Sequence, residues 1–143
     1  MKKGLLISAL LVLMSTGFSI AQKLSAKAVP LAVRSELMRR YPNATKATWE
    51  KRKGNYRASF GGKAGKDNSV VISPASAFIE MGNPVDVKFL PQAVTSYVKV
   101  HYHAQVISAD KIADATGKLF YVTRVAGDKE VLFDTNGKFI KVR

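Results

Sequence analysis

Few residues in this chain have types and spacings that could do chemistry. His101 and His103 are its only histidines. Residues two apart on a helix point roughly 200° from each other, so this pair cannot close on one metal unless the helix has ended there. The chain has no cysteine, which removes thiolate ligands and nucleophiles. Asp110 and Asp114 flank an expected strand end, where two carboxylates could pair as acids, although a solvated turn accounts for them more simply. No Gly-x-Ser-x-Gly elbow occurs. Gly61-Gly62-Lys63 is followed by Ala64-Gly65 and opens no helix, so it is not a phosphate loop. The expectation is a non-enzyme with no catalytic residue, no metal and no cofactor.

Binding chemistry has better candidates, because Trp, Tyr and Arg carry most of the energy at protein interfaces. The single tryptophan is Trp49. Two later stretches alternate with period two. Tyr56, Ala58 and Phe60 are interleaved with Arg57 and Ser59, and Tyr121, Thr123 and Val125 with Phe120, Val122 and Arg124. If the first member of each set faces a helix, the second faces away from it. The candidate partner surface is therefore Trp49, Arg57, Phe120, Val122 and Arg124. For Trp49 the competing expectation is a core plug beneath a helix.

The elements that must position these residues come in two similar series. Val29-Pro30-Leu31-Ala32-Val33 leads to Leu37 and Tyr41, and Leu90-Pro91-Gln92-Ala93-Val94 leads to Val98 and Tyr102, at a shift of 61 residues. The i, i+4, i+8 apolar triples predict two helices, 30–41 and 91–102, each opened by Pro. Strands are expected at 46–51, 56–60, 70–72 and 78–81, then at 106–112, 119–125, 130–133 and 139–142. Gly54-Asn55 and Asn136-Gly137 are read as tight turns. Gly61 to Asn68 reads as a long charged loop, and Gly82-Asn83-Pro84 as the end of the first unit. At the same shift, Trp49 corresponds to Asp110. The fold class expected is α+β, two tandem repeats of a helix and a four-stranded antiparallel sheet, with the helices on one face.

Met1-Lys2-Lys3, the apolar run from Gly4 to Met14 and the small residues before Gln22 have the layout of a secretory signal peptide cleaved near Ala21. The apolar run is shorter than the roughly 20 residues of a membrane span. The expected division is a signal peptide at 1–21, a mobile leader at 22–28, and repeats at 29–83 and 84–143. The mature chain is then periplasmic or secreted and not membrane-spanning. The whole chain carries 23 basic and 10 acidic residues, a formal charge of +13. Loss of Lys2 and Lys3 with the signal leaves +11. Nucleic acid is not an expected partner for an exported chain, so the charge is read as plain solubility or as attraction to an anionic envelope surface or an acidic protein.

Several of these marks together resemble the PepSY-like, β-lactamase-inhibitor-like family of exported bacterial proteins. They are the helix opening Val29-Pro30 with Ala32-Val33, its end Tyr41-Pro42-Asn43-Ala44, then Trp49-Glu50-Lys51, Gly54 with Tyr56, and Phe133-Asp134 with Gly137-Lys138. Ser73-Pro74-Ala75-Ser76 departs from the pattern by lacking the Asp and Gly of the second copy. The resemblance implies an exported, non-enzymatic module that binds an envelope protein through an open sheet face, in the manner of an inhibitor. The alternative is an electrostatic binder of anionic envelope components.

Overall fold

A computed structural model describes residues 21–63 and 66–143, and among these the chain forms two proline-opened α-helices, two 3-10 turns and nine strands. The expected signal peptide, apart from Ala21, lies outside the described residues. Helix α1 runs Leu31–Arg40 and α2 runs Gln92–Tyr102, with Pro30 and Pro91 at their N-caps. The predicted apolar triples face inward: Val33, Leu37, Val94 and Val98 are fully buried, while Tyr41 and Tyr102 close each stripe half-buried. Tyr41 donates its hydroxyl to the Met81 sulfur at 3.0 Å, tying the end of α1 to the sheet.

The strands are β1 (Gln22–Leu24), β2 (Thr48–Arg52), β3 (Asn55–Lys63), β4 (Lys66–Ile72), β5 (Phe78–Val85), β6 (Ser108–Asp114), β7 (Leu119–Val125), β8 (Lys129–Asp134) and β9 (Phe139–Val142). They form one antiparallel sheet in sequence order. Such an order needs only short connections between neighbours, and both helices pack on the same face. The α+β class and the one-sided placement of the helices hold. A helix followed by four strands occurs twice in the element order.

The structure changes four details. Residues 22–28 are not a mobile leader, because Gln22–Leu24 pairs with β2 as an edge strand and Ala26–Ala28 forms a 3-10 turn. The charged stretch after Phe60 is mostly strand, since β3 and β4 run on to pair Lys63 with Lys66 through a bulge. The first hairpin turns at Lys53 and Gly54, whose φ values are +50° and +80°, one residue before the predicted turn. Gly82-Asn83-Pro84 is no terminator: it lies inside β5 and pairs with Ile112, Lys111 and Asp110 of β6, joining the two halves. The backbone is closely approached there, since a Cβ on residue 82 would lie 2.7 Å from Ile112 Cδ1 and 2.9 Å from Ser69 Oγ and would displace those side chains.

Two cores lie beneath the helices. Val29, Leu37, Trp49, Tyr56, Val70 and Ile72 pack under α1, and Leu90, Val94, Val98, Val125, Val131 and Phe133 under α2. A third cluster, Ile112, Phe120, Val122 and Leu132, lies on the opposite face. That face is concave. Six strand spacings separate β2 from β8, ~29 Å in a flat sheet, yet Arg52 Nη1 lies 3.2 Å from Glu130 Oε1. Two side chains cannot span the flat distance, so the sheet coils away from its helices.

Candidate functional site

Strand alternation determines which side chains reach the concave face. Trp49 pairs with Ala58 and Thr123 with Ala109, all on the helix side. One residue along in either strand is the other face, where Glu50 pairs with Arg57, Asp110 with Val122 and Arg124 with Glu130. The residues gathered there come from β2 (Arg52), β3 (Arg57), β5 (Glu80), β6 (Asp110), β7 (Arg124) and β8 (Glu130), with Arg143 after β9.

The sequence-derived surface divides accordingly. Arg57 and Arg124 lie half-buried on the concave face, the side away from the helices. Phe120 and Val122 point to the same face but are 8% and 4% exposed, forming its floor and not an accessible patch. Trp49 is on the other side of the sheet, 6% exposed in the α1 core, so the five residues do not share one surface. Pairing Trp49 with Asp110 at a shift of 61 was a slip of one residue. By register the position beneath α2 that corresponds to Trp49 is Ala109, and a one-residue slip in a strand transfers a side chain to the opposite face.

Glu130 is the centre of the charge network. Its carboxylate is almost wholly buried, accepts from Arg143 Nε at 2.8 Å and Arg124 Nη2 at 3.4 Å, and forms an ion pair with Arg52 Nη1 at 3.2 Å. Burial by itself would raise its pKa, but the Arg143 hydrogen bond and the charges of Arg143, Arg52 and Arg124 hold it below the usual carboxylate range. Arg143 also donates from Nη1 and Nη2 to both oxygens of Glu80, at 3.1 and 3.0 Å. Its guanidinium thus straps β8 to β5 across the face. Arg57 is less committed, at 3.5 Å from Glu50. Asp110 makes no ion pair among the described residues. Burial pushes its carboxyl above the usual range against the pull of Arg57 and Arg124.

Two hollows open on this face, of about 130 Å³ and 460 Å³, and share Arg57, Asp110 and Arg124 as lining. The smaller has Ile112 and Val122 as its floor. Arg52, Glu80, Glu130 and Arg143 were missed by sequence reasoning, and Asp110 was weighed only as an acid at a strand end beside Asp114. The available signal was a charged residue inside an apolar strand, such as Glu130 beside Val131-Leu132-Phe133, which burial tolerates only with partners.

The other candidates separate. Asp114 serves its own turn, accepting from the Thr116 and Lys118 backbone at 2.9 and 3.0 Å and from the Thr116 hydroxyl at 2.7 Å. His101 stacks on Tyr97 at 3.8 Å, and His103 caps α2 in the left-handed conformation. Among the described residues no three His, Asp or Glu side chains converge as metal ligands.

Compared with known proteins, residues 76–141 match the family described as β-lactamase-inhibitor-like, PepSY-like. The matched stretch resembles that family and lies in the second half of the chain. The match begins within the turn before β5 and takes in the strand that joins the halves, all of α2, and β6 to β8. Among solved structures, a DUF2874 family protein of Bacteroides uniformis superposes with a TM-score of 0.59 at 20% identity, over 80% of this chain and 88% of its own. A protein of Bacteroides eggerthii described as periplasmic has a TM-score of 0.59 at 18% identity, over 80% and 88%. A BLIP-like protein of Bacteroides fragilis has a TM-score of 0.55 at 22% identity, over 80% and 84%. These likenesses establish a shared fold. No curated protein matches the sequence. None of the described helices is long and apolar enough to cross a membrane.

Proposed function

We propose that this chain is an exported, non-enzymatic binding module of the PepSY-like kind that grips a partner protein in the envelope through its concave sheet face. The observation that carries this reading is the asymmetry of the sheet. One face is covered by two helices, while the other carries no helix among the described residues and holds hollows ringed by half-committed charges over an apolar floor. Arginines set around a small desolvated floor are the composition of interface anchors. The β-lactamase-inhibitor-like family description and the periplasmic description of the Bacteroides eggerthii protein support the class and the compartment.

On this reading residues 1–21 are the export signal, and 29–83 and 84–143 are two like units from a duplication, fused edge to edge by β5 and β6. The shared helix-plus-four-strand order and the recurrence of Val70–Ile72 as Val131–Phe133 support it. The experiment is capture of envelope proteins at physiological salt by the mature chain. It is compared with R57E/R124E on the concave face and R39E/K99E on the helix face. Loss of one defined partner with the first variant alone is expected. Equal loss with both, graded by salt, would favour the electrostatic reading instead.

A further inference from the structure

Resting on the concave-face reading, we infer that the occupant of this face is an acidic segment of the partner, whose glutamate seats its carboxylate between Arg57 and Arg124 in the smaller hollow. Three observations carry the chemistry.

The first is charge. Arg52, Lys53, Arg57, Arg124 and Arg143 line that hollow against Glu80, Asp110 and Glu130, an excess of two positive charges. Arg143 is spent, with Nε, Nη1 and Nη2 all donating to Glu130 and Glu80. Arg57 and Arg124 are not, since their ion pairs are 3.5 and 3.4 Å long. Shorter charge-assisted bonds, near 2.7–2.9 Å, are open to them with an incoming carboxylate.

The second is shape. About 130 Å³ holds a single side chain and not a folded element. Ile112 and Val122 beneath it suit the methylenes of glutamate, with the charged end toward the arginines. Main chain on either side would run along the larger hollow, which shares Arg57 and Arg124.

The third is an internal competitor. Asp110 lies on the same strand face, pairs with Val122 across the ladder and is drawn electrostatically to Arg57 and Arg124, yet forms no ion pair with either among the described residues. It holds the place of a carboxylate without using it. Removing its charge therefore strengthens the site for an acidic guest. The groups facing Asp110 are Arg57, Arg124, Glu130 and Glu80, so loss of its charge removes one of three carboxylates that repel an acidic guest and leaves both arginines in place.

The test measures binding of a hexaglutamate peptide and a hexaglutamine peptide to the mature chain by calorimetry at low and physiological salt. The variants are wild type, R57Q/R124Q and D110N, with folding checked by circular dichroism. Expected are binding of the acidic peptide only, a loss of at least tenfold in R57Q/R124Q and a gain of several-fold in D110N. Equal binding of both peptides, absence of acidic-peptide binding or an unchanged affinity in D110N would overturn it. So would binding to vesicles of anionic phospholipid that disappears in R57Q/R124Q when the acidic peptide does not bind. Partner capture lost in R57E/R124E with no acidic-peptide preference overturns this inference alone and leaves the concave-face reading standing.

Discussion

At Glu130, a buried carboxylate is held ionised by three arginines drawn from β2, β7 and the residue after β9. Removing one member of such a cluster leaves buried charge uncompensated, so Glu130→Gln is expected to destabilise the chain by about 3 kcal/mol in urea unfolding. Because the folded-state pKa is depressed, the stabilisation from Glu130 is fully present above the ordinary carboxylate range. It is lost as pH falls toward the folded value. The acid limb of wild-type stability should thus be steeper than that of the variant. Asp110 behaves oppositely. Its folded pKa is raised, so it costs stability above that value and costs nothing once pH is below the unfolded one. Asp110→Asn is expected to raise the melting temperature at neutral pH by roughly 2–4 °C, the effect of about 1 kcal/mol on a chain of this size. The difference should vanish in acid. Arg57 and Arg124 were legible as outward residues because alternation alone fixes their face. Their own partners, Glu50 and Glu130, are cross-strand neighbours. The wider network was not legible, because Arg52–Glu130 and Arg143–Glu80 join strands far apart in sequence that only coiling brings together.

At the level of elements, the helices and the late strands were the most legible. Apolar triples at helical spacing and Pro at the first turn are local signals, and β7 and β9 fall on the predicted residues. The early hairpin was misjudged because glycine and charge after Phe60 resemble a loop, whereas edge-to-edge pairing sustains the strands through a bulge. Gly82 and Pro84 misled in the same way. Tertiary contact overrides their breaking tendency: Gly82 is where the Ile112 and Ser69 side chains approach the backbone. Gly82→Ala should overpack the joining strand and cost about 1–3 kcal/mol, read as a lowered urea midpoint with unchanged slope. Trp49 is the larger test. As a core residue beneath α1, it should show blue-shifted fluorescence that moves red on unfolding, and Trp49→Ala should cost about 3–5 kcal/mol. A wild-type emission already at the solvent-exposed position would return Trp49 to the surface. Beneath α2 the small Ala109 takes that place, and bulk comes from Tyr97, which stacks on Phe139 at 4.9 Å and meets Phe133 edge-on at 5.4 Å.

For the whole molecule, nine strands in sequence order with both helices on one side produce a coiled sheet with one covered and one open face. The sequence contains the alternation that separates these faces, but not the coiling, which is a sum of small twists and bulges across many strands. The charge on the inner face therefore could not be told from the charge that keeps the outside soluble. The measurement that most directly tests whether the inner face is where a partner binds is site-specific photocrosslinking in the native envelope. Probes at Ser59 and Ser108 would report on the concave face, and probes at Ser35 and Ser96 on the helices. One discrete adduct from the concave-face positions and none from the helix positions is the predicted result. An adduct from Ser35 or Ser96 with none from Ser59 or Ser108 would contradict it.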